Sequence, residues 1–346
     1  MSQKLSFAVI GCGFWAQYQI AAWQELEGAK LVAVCDQDDE KARNTAKKFG
    51  AANYYTDAKT MLERESLDFV DIITTIESHA EFTQMAARHQ LPAICQKPFA
   101  PDLETARQMI MAHRAAGVPL FVHENFRWQA PIRRVKSLLD SGEIGEAFKG
   151  RVTFTSAFPV FDNQPNLAEL DQFILADIGS HTLDMVRFLF GEVANLRCIT
   201  QRVNPNIAGE DVANVLLEMT SGVHCYAEMS YASVLEKEAF PHTLVLIEGS
   251  EGSIRLDHNY RIVVTNRKRS SRKVATPKSY DWANPDYDLV HSSMVDINRD
   301  FLTALQNGSL PETTAADNYR TLQLVYECYR SAKMKQVITL EEPIFS

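Results

Sequence analysis

The chain has 346 residues, of which 46% are apolar and 23% charged, and its net charge is −9 with a pI near 5.5. That length exceeds what one compact core usually carries, so two domains are expected, over 1–124 and 125–346. The acidic balance without a basic stripe excludes nucleic acid as a partner, and no apolar stretch is long enough for a membrane span.

The six cysteines, at 12, 35, 95, 198, 225 and 328, form no Cys-x-x-Cys pair and stand at least 23 residues apart. They therefore suit neither a zinc finger nor a disulfide framework, and read as buried thiols of a reducing compartment. The N-terminus passes straight into "LSFAVIGCG", a core strand rather than a signal peptide, so a cytoplasmic protein is expected.

In the first third, short apolar runs alternate with helical patterns. Strands are expected at 7–10, 31–35, 69–74, 93–95 and 120–123, and helices at 17–26, 40–49, 79–89 and 103–116. Such alternation indicates βαβ units and a doubly wound parallel sheet, a Rossmann domain. Gly117 with Pro119 beyond it is the expected stop for the last of these helices.

"FAVIGCGFWA" places Gly11-x-Gly13-x-x-Ala16 between a buried strand and a helix start. Gly11 permits the tight turn, Gly13 lets a pyrophosphate approach backbone N–H groups, and Ala16 keeps helix and strand in contact. The second strand ends at Asp36, where a ribose-binding acid belongs. A carboxylate about 4 Å from a 2′-phosphate costs about 4 kcal/mol at an effective dielectric of about 20, so NAD is expected rather than NADP. Further on, "ICQKPFA" puts Lys97 against Pro98 in an apolar run, a costly place for a charge without a task.

After about residue 125 the pattern changes. Helices around 131–141 and 180–190 flank period-two segments at 148–158, 195–203, 212–219, 223–231, 242–248 and 253–257. Ser221-Gly222 and Ser250-Glu251-Gly252 would turn consecutive strands into hairpins. Helices near 293–306 and 315–332 close the chain, and the basic run Arg267-Lys268-Arg269 with Arg272 and Lys273 reads as a solvated loop. The second domain is thus α+β, built on an open, mostly antiparallel sheet. Val215, Leu217, Leu244 and Leu246 suggest that its open face is apolar.

The glycine fingerprint, Lys97-Pro98 and "DIGSHTLD" at 177–184 occur in that order along the chain. In this the sequence resembles the glucose–fructose oxidoreductase / inositol dehydrogenase (Gfo/Idh/MocA) family over its whole length. The resemblance implies that Lys97, Asp177 and His181 lie beside a nicotinamide as the catalytic set, and that the peptide before Pro98 is often cis. It implies a cofactor site formed by Gly11, Gly13, Phe14, Trp15, Asp36, Thr74, Thr75, His79, Gln96 and Lys97, and a homodimer or homotetramer associated through the second sheet. There are departures. Gln96 replaces the usual glutamate, Thr74-Thr75-Ile76 replaces a Thr-Pro pair, and Asp171-Gln172-Phe173-Ile174-Leu175 replaces a glycine run.

If a sugar hydroxyl is oxidised, its proton needs a base. His181 suits that task, Asp177 can orient the imidazole, and Lys97 can stabilise the developing alkoxide. Asp177 and His181 also have the i, i+4 spacing of a metal pair, but no third ligand recurs nearby, and no metal is expected. Asn125, Arg127, Trp128, Asp171 and Gln172 are candidate substrate contacts beside Asp177 and His181, and Phe161, Asn163 and Gln164 could close the pocket. Arg127 could instead form an interdomain salt bridge. The expected activity is an NAD-dependent sugar or polyol dehydrogenase. A non-catalytic NAD-binding sensor is the competing class, disfavoured because a sensor need not keep an acid–base set.

Overall fold

The structure is a computed structural model that describes residues 4–236, 238, 240–341 and 345. The chain divides into two compact units, the first comprising Met1–Glu124, Tyr280–Ala283 and Met294–Arg320, the second Asn125–Ser279, Asn284–Ser293 and Thr321–Ser346.

The first unit holds six parallel strands: β1 (Leu5–Ile10), β2 (Ala29–Cys35), β3 (Asn53–Tyr55), β4 (Phe69–Ile72), β5 (Ala93–Gln96) and β6 (Leu120–His123). Their order is β3-β2-β1-β4-β5-β6. Helices α1 (Ala16–Gln24), α2 (Asp39–Phe49), α3 (Ala58–Arg64), α4 (Ile76–Arg88) and α5 (Leu103–Ala116) make the crossovers. The continuous burial of β4, β5 and β6 is what a sheet covered on both faces demands. Caps fix the helix ends: the Asp38 carboxylate accepts from Glu40 and Lys41 N–H groups, Asp102 accepts from Thr105, and Gly50 and Gly117 close α2 and α5 in left-handed conformation. Strand order reverses between β1 and β4, and the carboxyl ends of those strands are where a doubly wound sheet receives its ligand.

The second unit is a nine-stranded sheet in the order β14-β13-β12-β11-β7-β10-β9-β8-β15. Its strands are β7 (Ala147–Thr155), β8 (Val193–Gln201), β9 (Val212–Met219), β10 (His224–Ser230), β11 (Thr243–Gly249), β12 (Gly252–Asp257), β13 (Arg261–Asn266), β14 (Ser270–Val274) and β15 (Ile338–Thr339). Every pairing is antiparallel except β7 with β10. Helices α6 (Ala130–Asp140), α7 (Val160–Asn163) and α8 (Ser180–Phe190) precede most of the sheet. The Phe190 ring packs so closely on β7 that a Cβ at Gly150 would sit 2.4 Å from it. Two long helices follow, α9 (Asp288–Asn307) and α10 (Ala315–Met334).

Two expectations are corrected below. Residues 280–283 and 294–320 belong to the first unit, so the chain crosses between the units more than once. There Phe301 stacks on Phe121 at 5.4 Å, Asn298 meets His123 at 3.1 Å, and the Thr313 carbonyl accepts from Val122 N–H. The basic run is a hairpin rather than a loop, with Arg267–Arg269 at its turn and Arg272 and Lys273 on the edge strand β14. Charges along an exposed edge remove the apolar alternation that announces a strand and discourage pairing with other chains. Lastly, Val215 and Leu217 point into the covered core. Leu244 and Leu246 do lie on the open face, together with Phe148, Ile199, Leu216 and Tyr226 and with charges such as Arg151, Glu218 and Glu228.

Candidate active site

The nucleotide corner is built from the β1–α1 and β4–α4 turns. Gly11 has φ +98°, and a Cβ there would lie 2.3 Å from the Ile73 carbonyl oxygen, so no other residue fits the turn. Gly13 is exposed and nothing lies within 4 Å of where its Cβ would be. A pyrophosphate could therefore reach the backbone there, as the fingerprint requires. Asp36 follows β2, where one carboxylate oxygen accepts from Cys12 N–H at 2.8 Å and the other from Asp38 N–H at 3.0 Å. Both contacts aim the carboxylate at the glycine turn. The nearest following basic residues, Lys41 and Arg43, pair with Asp38 and Asp39 at 4.0 and 3.9 Å. These residues fit NAD: the glycine turn for the pyrophosphate, Asp36 for the ribose.

Phe14, Trp15 and Tyr18 cluster edge-to-face at the start of α1, both contacts at 5.3 Å, and Phe14 keeps 40% of its surface exposed. Thr74 and Thr75 lead into α4, with the Thr74 hydroxyl accepting from Ser78 at 2.8 Å. His79 has no exposed surface. Its Nδ1 lies 3.0 Å from the Pro98 carbonyl and 3.3 Å from that of Phe99, and its Nε2 lies 3.2 Å from that of Thr74. Burial pushes its pKa down against the pull of these carbonyls. His79 thus ties the Lys97-Pro98 turn to the end of β4.

Lys97 follows β5 and is half-buried, and the Lys97–Pro98 peptide is cis. Its backbone N–H donates to the Gln96 side-chain oxygen at 2.9 Å, and Gln96 donates in turn to Gln19 of α1 at 2.6 Å.

Asp177 and His181 belong to the second unit. Asp177 lies in a π-helical turn, Leu175–Gly179, that runs directly into α8, where His181 occupies the first turn. Such widened turns recur at functional positions. The His181 ring is buried and stacks on Phe126 at 3.6 Å and 3°. Asp177 is half-buried, and the Tyr231 hydroxyl donates to its Oδ2 at 3.4 Å. Burial first, and Asp177 second, push the Tyr231 pKa well above its ordinary value, so it remains a donor at any working pH. Tyr231 follows β10 with nothing in its spacing to mark it, and sequence reasoning missed it.

The substrate candidates divide. Arg127 and Asp184 form an ion pair with side chains 6% and 0% exposed, Nε donating to Oδ2 at 2.7 Å and Nη2 to Oδ1 at 2.5 Å. The guanidinium holds the loop after β6 onto α8, and because both residues lie in the second unit this pair is not the interdomain bridge expected from sequence. Asn125 is buried, and its amide donates to the Val290 carbonyl at 3.1 Å and the Ser293 hydroxyl at 2.8 Å. Trp128 is half-buried beneath the Arg133 guanidinium at 4.4 Å, and its Nε1 makes no hydrogen bond among the described residues. Both amide atoms of the neighbouring Gln129, fully buried, are likewise without a partner there. Asp171 and Gln172 are exposed, and the Phe161 ring lies 5.2 Å from Phe173. The side chain of Asn163 lies outside the described residues.

Among the described residues, no three His, Cys, Asp or Glu side chains are grouped to hold a metal, and no helix is long and apolar enough to cross a membrane. All six cysteines are free and buried.

Residues 5–124 match the model of an oxidoreductase family with an NAD-binding Rossmann fold, and residues 132–255 match the GFO/IDH/MocA C-terminal domain. The chain is 46% identical over 339 residues to a D-apiose dehydrogenase of Paraburkholderia graminis, covering 98% of this chain and 90% of that one. A D-apiose dehydrogenase of Rhizobium rhizogenes is 44% identical, with 95% of each chain covered. The crystal structure of an oxidoreductase from Agrobacterium radiobacter in complex with NAD+, L-tartaric acid and magnesium superposes with a TM-score of 0.95 at 43% identity, covering 97% of this chain and 98% of that one.

Proposed function

The chain belongs to the GFO/IDH/MocA oxidoreductase family with an NAD-binding Rossmann domain, and from that premise we propose that it is an NAD-dependent sugar dehydrogenase whose substrate is D-apiose, oxidised at the anomeric carbon to the lactone. The observation that carries the substrate is the 46% identity, over nearly the whole chain, to a protein named for that activity. NAD, when bound, supplies the hydride acceptor. The residues of the chain do the rest. His181, held flat on Phe126, takes the hydroxyl proton. Asp177, fixed by Tyr231, stabilises the imidazolium that results. The Lys97 ammonium stabilises negative charge on the substrate oxygen. Asp171, Gln172 and Trp128 supply the polar and stacking contacts that distinguish one sugar from another. Such contacts discriminate because a wrong sugar leaves a buried donor or acceptor unpaired.

We infer further that the open sheet face, with Phe148, Ile199, Leu216 and Tyr226 exposed, is covered by a second copy in a homodimer or homotetramer. The test of the activity is NADH production from a panel of pentoses, hexoses, inositols and D-apiose. D-apiose is expected to lead. An inositol ahead of every aldose overturns the substrate and makes the protein a polyol dehydrogenase, while no turnover at all favours a sensor.

A further inference from the structure

Asp71 is fully buried in β4, in a strand otherwise made of Phe69, Val70 and Ile72. The described hydrogen bonds to it all come from N–H groups. Gln19 Nε2 approaches its two oxygens at 2.9 and 2.8 Å, and Trp23 Nε1 donates to Oδ2 at 2.8 Å. The Gln19 oxygen then accepts from Gln96 Nε2 at 2.6 Å, and the Gln96 oxygen accepts from the Lys97 backbone N–H at 2.9 Å. A carboxylate is therefore joined to the Lys97 turn by two amides.

The polarity of this relay follows from its ends. A carboxylate only accepts and a backbone N–H only donates, so each amide between them has one orientation that satisfies both neighbours. That orientation requires an amide at position 96. A glutamate there would still accept from Lys97 N–H, but its other oxygen would face the Gln19 oxygen, and the Gln19 N–H groups are already committed to Asp71. The glutamate usual before this lysine in the family is thus incompatible with an ionised Asp71 unless the pair takes up a proton.

We propose that Asp71 is a positioning residue for Lys97, acting through Gln19 and Gln96, and that its buried carboxylate is why this chain carries glutamine before the lysine. Asp71 sets which way the amides point, and the last amide anchors the backbone from which the ammonium projects. Burial pushes the Asp71 pKa up to about 7, against the hydrogen bonds from Trp23 and Gln19. Cys95 of β5 also faces it, its thiol driven upward by burial and then by Asp71.

The proposal rests on the reading of Lys97 as the group that stabilises the substrate oxygen, and its test separates the two. Gln96→Glu, Asp71→Asn and the double variant are assayed for NADH formation from whichever sugar of the panel is oxidised fastest, with NAD affinity measured by fluorescence titration. At pH 8 the Gln96→Glu variant should lose about tenfold or more in kcat, because two acceptors are forced together. Its ratio to wild type should recover as the pH is lowered to 6 and the pair binds a proton. Adding Asp71→Asn should restore the double variant to within about threefold of wild type at pH 8. The new amide at position 71 can donate to Gln19, Gln19 can donate to the new carboxylate at position 96, and that carboxylate can accept from Lys97 N–H. NAD affinity, measured for every variant, separates a loss of cofactor binding from the loss of kcat that the relay requires. Equal kcat for Gln96→Glu and the double variant, or wild-type kcat for Gln96→Glu, overturns the relay. If Gln96→Glu does not fold, rescue of fold without rescue of kcat in the double variant overturns it equally. Lys97→Ala in the same assay tells the failures apart: unchanged kcat removes the role of Lys97 and the relay with it, whereas a large loss without compensation between positions 71 and 96 removes the relay alone.

Discussion

Asp184→Asn is expected to unfold the protein more readily while barely touching sugar binding. The Asp184 side chain is wholly buried, and Arg127 donates to both of its oxygens. Thr321 adds a third bond to Asp184 at 3.1 Å, and Thr321 itself accepts from Arg187 at 2.8 Å. Asparagine keeps the shape but replaces one acceptor oxygen with an NH2 that faces a donor, and it leaves a guanidinium charge in a site with almost no water. Breaking a buried pair by removing one partner costs about 3–5 kcal/mol. At about 2–4 °C per kcal/mol, the midpoint of thermal unfolding should fall by roughly 6–20 °C. Circular dichroism melts give that shift, and steady-state assays at 25 °C give KM for the sugar. If Arg127 bound substrate instead, the variant would melt within about 2 °C of wild type and KM would rise tenfold or more; that outcome would refute the structural role. Arg127→Lys should also destabilise, because one ammonium cannot reproduce the two-pronged contact.

NAD should bind at least about tenfold more tightly than NADP in fluorescence titration, and Asp36→Ala should narrow the gap, since the carboxylate is what repels a 2′-phosphate. Lys97→Ala, Asp177→Ala and His181→Ala should each lower kcat by roughly 10²–10⁴-fold with little change in NAD affinity, and the doubles should be non-additive; near-normal turnover by His181→Ala at neutral pH would remove its role as base. Light scattering should find a dimer or tetramer at micromolar concentration, and Leu216→Glu on the open sheet face should shift it toward monomer without lowering secondary structure; a monomeric wild type would dispose of the interface. Burial pushes the His123 pKa down to about 4, while in the unfolded chain it lies near 6.5, so the unfolded chain binds the proton first as the pH falls. Stability from this group is therefore full above pH 6.5 and lost between 6.5 and about 4, and His123→Gln should flatten that part of a denaturation-versus-pH curve.

What could be read from sequence was what depends on near neighbours. Strand–helix alternation, the glycine turn, Asp36 at the end of β2 and the Gly117 stop are all patterns within a few residues, and each lies where its pattern puts it. The misses are contacts between distant positions. Nothing local distinguishes an Arg127 that binds a ligand from one paired with Asp184, 57 residues on. The return of 294–320 to the first unit depends on Phe301 finding Phe121, and amphipathic periodicity shows that a helix has an apolar face without showing which core receives it. Val215 and Leu217 alternate correctly, yet period two does not say which side of the sheet is covered. Asp71, inside an apolar strand, stands out in sequence only once its two amide partners are known.

The segment before Asp177 shows how the departure from the family pattern is supported. Phe173, Ile174 and Leu175 are fully buried where a glycine run is usual, so this stretch is a packed plug rather than a flexible turn. Its backbone is held by one residue: the Glu210 side chain accepts from Phe173 and Leu175 N–H groups, and the Glu210 carbonyl accepts from Ile174 N–H. Tyr329 donates to the same carboxylate at 2.8 Å and accepts from Ala176 N–H at 3.1 Å. Gly209 lets the two loops of this clamp close, since a Cβ there would lie 2.6 Å from the Leu170 carbonyl oxygen. Asp177 N–H bonds back to the Phe173 carbonyl at 2.9 Å, so the position of the carboxylate follows from the plug and the plug from Glu210. The Asp171 and Gln172 side chains are exposed at the entrance to the same segment. On the proposed mechanism, the carboxylate that stabilises the imidazolium is thus anchored in a packed core while the flank proposed for recognition stays exposed, an arrangement in which substrate preference can diverge without disturbing the chemistry.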